Sequence, residues 1–278
     1  MLLPRILTAL ALLALLLPAM LATSPWPFAT LMLVLMAAAG WEWSRLNGAP
    51  GAMALVYGAG LALASAGLAW LGLVARVPAW LWWLATAGWC LGALVVLRGG
   101  PAAWPRLPQA WRLGLGWLML LVAWLAVAAA RQRGLNFLLS AFCVVWMADI
   151  AAYAGGRLLG RRKLAPTISP GKSWEGVFSG IAGVMLLAWG WMALEATVFG
   201  TADSLFAMLT QRGEVAGLLL GLALLCGLSV VGDLIESLVK RAAGAKDSSH
   251  LLPGHGGVLD RIDAILPVLP AVMALASF

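Results

Sequence analysis

Long apolar runs separated by short polar breaks organise this chain, and nine of them fill most of its 278 residues. They are Ile6–Ala22, Pro27–Trp41, Gly51–Val74, Ala79–Leu97, Leu113–Ala130, Leu135–Ala154, Trp174–Phe199, Val215–Val239 and Ala264–Phe278. About 20 apolar residues make a helix long enough to cross roughly 30 Å of hydrocarbon. The runs predict an all-α fold, a polytopic integral membrane helical bundle of about nine transmembrane helices. Composition excludes the alternatives: 63% of residues are hydrophobic and 10% charged, against about 45–50% and 25% in a soluble domain. A disordered chain would need the opposite balance. The last run holds Pro267 and Pro270 and can span only if it begins inside the polar segment before it.

The net charge of +7 is read as the positive-inside rule rather than as a nucleic-acid surface. Fourteen cations fall on the N-terminus and alternate loops: Arg5, Arg45, Arg98, Arg106, Arg112, Arg157, Arg161, Arg162, Lys163, Lys172, Lys240, Arg241, Lys246 and Arg261. Four fall on the other side: Arg76, Arg131, Arg133 and Arg212. This places the N-terminus in the cytoplasm and the C-terminus outside. The first run follows Arg5 as in a signal peptide, but Met20 and Ala22 make a poor cleavage site, so a retained helix is expected. Cys90, Cys143 and Cys226 are far apart, with no metal or redox spacing.

Residues 1–130 read as a transmembrane scaffold, with Glu42 their only acid. Trp41, Trp43, Trp80, Trp82, Trp104 and Trp111 lie near helix ends, where tryptophan commonly anchors at the interface. Residues 131–278 read as the catalytic region, carrying cytoplasmic loops. Two polar segments break the apolar pattern there. In the first, Asp149 lies inside a helix, where a carboxylate is costly and is usually paired or functional. Tyr153 shares its face, and Arg157 is a possible ion-pair partner. Gly171-Lys172-Ser173 is not a P-loop, because Pro166 occupies the required earlier glycine and no strand is expected before it. A basic turn at a helix N-terminus remains, able either to hold phosphate or simply to enforce topology.

In the second segment Asp233, Ser237 and Lys240 or Arg241 share a helix face. Asp260 and Asp263 share another if the last helix starts near Asp260. Between them lie Lys246, Asp247, His250, Pro253, His255, Gly256, Gly257 and Arg261. Mg2+ takes oxygen ligands, typically one or two carboxylates plus substrate phosphates. Lys and Arg hold further phosphate oxygens, and glycine lets the backbone approach a ligand. The residues alone therefore point to Mg2+-dependent chemistry on phosphates at a membrane surface. His255 could meet a phosphate, act in acid–base chemistry or be a plain turn residue.

The 27 residues from Ser237 to Asp263 resemble the pattern of the phosphatidate cytidylyltransferases, or CDP-diacylglycerol synthases. The match runs through Ser237, Lys240-Arg241, Lys246-Asp247, Pro253, His255-Gly256-Gly257, Asp260-Arg261 and Asp263. Asp149, Tyr153, Gly156, Arg157 and the stretch from Ser169 to Gly176 also look like that family. The resemblance implies transfer of cytidylyl from CTP to phosphatidate, giving CDP-diacylglycerol and pyrophosphate. It further implies Mg2+, a membrane lipid environment and a homodimer, with the site facing the cytoplasm of a bacterial inner membrane. The catalytic set it implies is Asp233, Ser237, Lys240, Arg241, Lys246, Asp247, His255, Asp260, Arg261 and Asp263, with Asp233, Asp260 and Asp263 as metal ligands. Asp149, Tyr153, Arg157, Ser169, Lys172, Ser173, Gly256 and Gly257 are the substrate-binding set. Two other readings stay open: a CTP-dependent polyprenol or phytol-type kinase, and a lipid transporter. The gathering of acids towards one face favours an interfacial enzyme over a transporter, whose broken helices meet near the midplane.

Overall fold

The computed structural model describes residues 3–198, 200 and 203–277; the expected helix ends Phe199 and Phe278, and the Arg5 side chain, lie outside them. Helices α1 (Leu3–Leu21), α2 (Trp26–Leu46), α3 (Gly51–Trp70), α4 (Ala79–Ala103) and α5 (Gln109–Arg133) form the first half. Then come α6 (Leu135–Leu159), α7 (Trp174–Val198), α8 (Leu205–Ala242), a single turn α9 (Leu259–Ile262) and α10 (Ile265–Leu275). Gly100, left-handed at φ 67° before Pro101, kinks α4. Gly213 and Glu214 kink α8, and Glu214 is the one non-glycine at positive φ (52°) among the described residues.

The all-α membrane bundle is what the chain forms, although the count of nine spans changes character. Among the described residues, six helices, those built on α3 to α8, are long and apolar enough to cross a membrane. α1 offers only a shorter apolar stretch, Leu10–Leu21. α2 is diluted by its tryptophans, Glu42 and Arg45. α10 has 11 residues, about 16 Å of helix. It is nevertheless the bundle's axis, with Leu266, Val268, Leu269, Ala271, Val272 and Ala274 buried. Preceded by α9, it runs from Asp260, bonded to Lys240 at one end, to the Leu275 and Ala276 carbonyls at the other, which accept from Arg212 and Arg133.

Those carbonyl contacts give the minority cations a second role. Arg131 donates to the Met20 and Ala22 carbonyls (3.1 and 2.6 Å) at the end of α1. Arg133 donates to Ala276 (2.8 Å), and Arg212 to Leu275 and Ala276 (2.9 and 3.3 Å). The last carbonyls of a helix lack intrahelical partners, and cations are favourable there. Three of the four sparse cations thus cap helix ends at the face opposite the polar loops.

The tryptophans divide. Trp80 and Trp111 are exposed, as anchors would be, but Trp43, Trp82 and Trp104 are buried. Trp43 donates its indole N–H to the Arg112 carbonyl (2.9 Å) and Trp104 to Asn47 Oδ1 (2.9 Å). A buried polar partner lets an indole enter the core, so these two are packing residues and not interface anchors.

Glycines set the closest helix pair. A Cβ on Gly155 would stand 1.9 Å from Ser179 Oγ, and one on Gly183 would stand 2.5 Å from the Ala151 Cβ. Small residues let membrane helices approach this closely, so α6 and α7 lie almost backbone to backbone. α6 also runs five residues past the expected Ala154, so Arg157 is helical along with Tyr153. The basic turn between α6 and α7 is a small antiparallel hairpin of β1 (Lys163–Ala165) and β2 (Ser169–Ser173). Strands of three and five residues, Lys-Leu-Ala and Ser-Pro-Gly-Lys-Ser, are too short to show an apolar alternation, so the sequence showed no strand here.

Candidate active site

The hairpin carries Lys172 across to α8, where its ammonium pairs with Asp233 at 2.6 Å. Neither side chain is sealed: Lys172 is 23% exposed and Asp233 31%. One turn on, Ser237 Oγ lies 3.2 Å from Asp233 Oδ1, as the four-residue spacing predicts. Asp149 of α6, exposed on the same side, is an electrostatic neighbour of both Lys172 and Asp233. The two polar segments separated by some sixty residues of chain thus form one site.

Asp263 reaches this group through a close backbone contact. A Cβ on Gly232 would stand 2.4 Å from the Asp263 carbonyl oxygen, so only glycine lets the junction of α9 and α10 lie against α8. Asp263 Oδ1 accepts from the Ala264 N–H (2.9 Å). Burial, then the charges of Asp233 and Asp149, push the Asp263 carboxyl above the usual range. Like-charged carboxylates held together in this way are relieved by a cation.

One turn further along α8 lies a tighter cluster. Lys240 Nζ sits 2.5 Å from Glu236 and 2.6 Å from Asp260. All three are nearly sealed, with side chains 12%, 3% and 6% exposed. Asp260 also accepts from Ser248 N–H (3.0 Å), Ser248 Oγ (2.9 Å) and Gly257 N–H (2.7 Å). Burial alone would raise the Asp260 carboxyl. Glu236, Lys240 and the Gly257 and Ser248 N–H groups together outweigh it and hold the group well below the usual carboxylate range. Both Asp260 oxygens are therefore committed to closing the loop between α8 and α9.

The glycine pair is used inside that closure. Gly256 is left-handed (φ 84°), and a Cβ there would meet Asp260 Oδ2 at 2.6 Å. A Cβ on Gly257 would meet Ser248 Oγ and Glu42 Oε1. Their expected role, N–H groups presented to substrate, gives way at Gly257 to a bond with Asp260. Arg261 is exposed, and its guanidinium donates twice to the His255 carbonyl of the same loop (3.1 and 2.7 Å). His255 Nδ1 is buried and has no hydrogen-bond partner among the described residues.

Other expected site residues are placed variously. Ser173 is buried and accepts from the Gly176 N–H (3.2 Å), capping α7. Arg157 donates to the Tyr153 hydroxyl (3.4 Å) at the exposed end of α6. Ser169 opens β2, paired with Ala165. Arg241 donates to the Ala245 carbonyl (3.2 Å), and Lys246 and Asp247 are exposed on the loop.

Two residues were missed. Glu236 gave no signal in the sequence beyond its four-residue spacing from Lys240. Glu42, in the scaffold half, is fully buried and bonds the Ser248 and Ser249 hydroxyls and the Val258 and Leu259 N–H groups. Its one available signal was that it is the sole acid in 130 residues.

Among the described residues no three His, Cys, Asp or Glu side chains form a ready-made metal cage. Mg2+ does not require one, since one or two carboxylates and substrate phosphates suffice. Asp233 and Asp263, with Asp149 beside them, are the donors that suit it; Asp260 is already occupied.

A membrane helical bundle with a charged, phosphate-suited site at one end is the class these features define. The cytidylyltransferase family model matches residues 3–278, and the chain belongs to that family. A phosphatidate cytidylyltransferase of Pseudomonas aeruginosa is 38% identical over 99% of this chain and 97% of its own length. One of Haemophilus influenzae is 44% identical over 50% of this chain and 44% of its own. Another, from Staphylococcus epidermidis, is 41% identical over 52% and 50%.

Proposed function

We propose that this chain transfers the cytidylyl group of CTP to phosphatidate, giving CDP-diacylglycerol and pyrophosphate for phospholipid synthesis. Family membership and a full-length relative that bears the phosphatidate cytidylyltransferase name support the activity. The observation that carries the site is the Lys172–Asp233 pair, which joins the hairpin to α8 beside Asp149 and Asp263.

The lipid phosphate oxygen attacks the α-phosphorus of CTP and pyrophosphate leaves, so no enzyme nucleophile is required. Both reactants are anionic, and the barrier is dominated by repulsion and positioning. Mg2+ at Asp233 and Asp263 would neutralise charge on the reacting phosphates. Lys172, only loosely shielded, can exchange its aspartate partner for a phosphate oxygen. Arg241 and Lys246 stand exposed at the loop rim for the outlying phosphates. Lys240 and Asp260 hold the loop in place from behind.

Purified protein given labelled CTP and phosphatidate should release pyrophosphate and form CDP-diacylglycerol, and EDTA should stop both. Release of CDP with a phosphorylated alcohol would replace this reading with the kinase one.

The site is assigned to the cytoplasmic face of a bacterial inner membrane, on the strength of the 14-to-4 cation split and the cytosolic location of CTP. Apolar faces of α3, α4 and α7, largely unburied within the chain, are available to lipid and to the second copy of a homodimer. For topology, Lys163→Cys and His250→Cys should resist an impermeant thiol reagent in intact cells, while Arg76→Cys at the opposite end should react. Ready labelling of the first two from outside would invert the orientation.

A further inference from the structure

We infer that Glu42 is a positioning residue for the reaction, a carboxylate in the N-terminal half that fixes the geometry of the loop between α8 and α9. The inference rests on the site assigned above. Glu42 sits in the last turns of α2, where helix carbonyls make a carboxylate locally unfavourable. Nothing in its own helix explains it. Its partners lie more than 200 residues away: Ser248 Oγ at 3.3 Å, Ser249 Oγ at 2.5 Å, Val258 N–H at 2.9 Å and Leu259 N–H at 2.6 Å. The residue is 0% exposed.

These four donors belong to the two ends of one loop. Ser248 and Ser249 precede its tip, and Val258 and Leu259 lead into α9. Drawing both ends onto one carboxylate closes the loop, and Ser248 is shared: its hydroxyl also meets Asp260 at 2.9 Å. Glu42, Ser248, Asp260 and Lys240 are therefore linked: the single Ser248 hydroxyl proton serves Glu42 or Asp260, and the Ser248 N–H donates to Asp260 at 3.0 Å in either case. Gly257 is required at the crossing, since a Cβ there would meet Glu42 Oε1 at 2.3 Å and Ser248 Oγ at 2.0 Å. Asp263 follows α9 directly, so the anchor at Val258 and Leu259 also sets where that carboxylate stands. A network of this kind loses more than one bond when one member changes.

Glutamine at position 42 keeps the size of the side chain but turns an amide NH2 towards hydrogen-bond donors. In purified Glu42→Gln, kcat per folded molecule should fall about 10- to 100-fold while the KM for CTP moves less than about threefold. Glu42→Asp retains both oxygens and should recover part of the loss. Should Glu42→Gln not fold, Ser249→Ala removes one donor and leaves α2 intact, and a several-fold fall in kcat is expected. A lowered melting temperature with unchanged kcat per folded molecule, in whichever variant folds, would overturn the inference and leave Glu42 a stability residue. Asp260→Asn separates this from the underlying site assignment. If Asp260→Asn loses activity while the Glu42 and Ser249 variants keep theirs, the Glu42 inference alone fails. Full turnover in Asp260→Asn would show that the loop does not serve the reaction, and both readings would fall.

Discussion

Asp233→Asn and Asp263→Asn should each lose at least about a hundredfold in turnover while remaining folded in detergent, because under the proposed mechanism each would remove a charge that draws Mg2+ to the site. Asparagine keeps the side chain's volume and one carbonyl oxygen, so packing survives. For Asp233 the stability change should be under about 1 kcal/mol, since the pair with Lys172 is partly exposed and such pairs contribute little. A purely structural Asp233 forecasts the reverse: a lowered melting temperature and normal turnover per folded molecule. Titrating activity against Mg2+ separates a ligand from a neighbour, since activity fully regained at high Mg2+ would remove that aspartate from the ligand set. Asp260→Asn should behave differently from either. It breaks bonds to Lys240, Ser248 and Gly257, so activity and stability should fall together, and added Mg2+ should restore neither.

The bundle was legible in the sequence because lipid imposes a simple rule, and apolar runs of fixed length report it. The site was legible to the extent that local spacing decides it: Asp233 and Ser237 meet as their separation of four residues requires. What the spacing could not show was which carboxylates remain free. Asp260 and Asp263 look equivalent in sequence, yet one is enclosed by donors from its own loop and the other, its carboxylate bonded only to the Ala264 N–H among the described residues, is an electrostatic neighbour of Asp233. That difference depends on how the chain between α8 and α9 folds back, guided by Gly256 and Gly257 and anchored on a residue more than 200 positions away. The hairpin and the capping arginines were hidden for a related reason. Arg131 looks like any loop cation until the end of α1 is placed beneath it.

Those arginines set up a contrast with Lys240. Lys240→Ala should lower stability by about 3–5 kcal/mol, because it leaves Glu236 and Asp260 buried together without their shared cation. It should also depress turnover at least about tenfold, through the slackened loop. Both carboxylates are less than a tenth exposed, so water cannot easily replace the ammonium. Lys240→Arg would keep the charge, but its planar fork matches the two oxygens differently, and it should recover stability better than activity. Arg131→Ala loses two charge-assisted bonds to the Met20 and Ala22 carbonyls and should destabilise by about 1.5–3 kcal/mol. Turnover per folded molecule should stay normal, since those bonds lie at the opposite end of the bundle. Arg241→Ala completes the comparison: exposed at the rim, it should barely shift the melting temperature while raising the KM for CTP. Melting temperature and steady-state kinetics on the same preparations decide among these patterns. Unchanged stability in Lys240→Ala would mean that the two carboxylates find another partner. A turnover defect in Arg131→Ala at unchanged melting temperature would mean that the far end of the bundle is coupled to the chemistry.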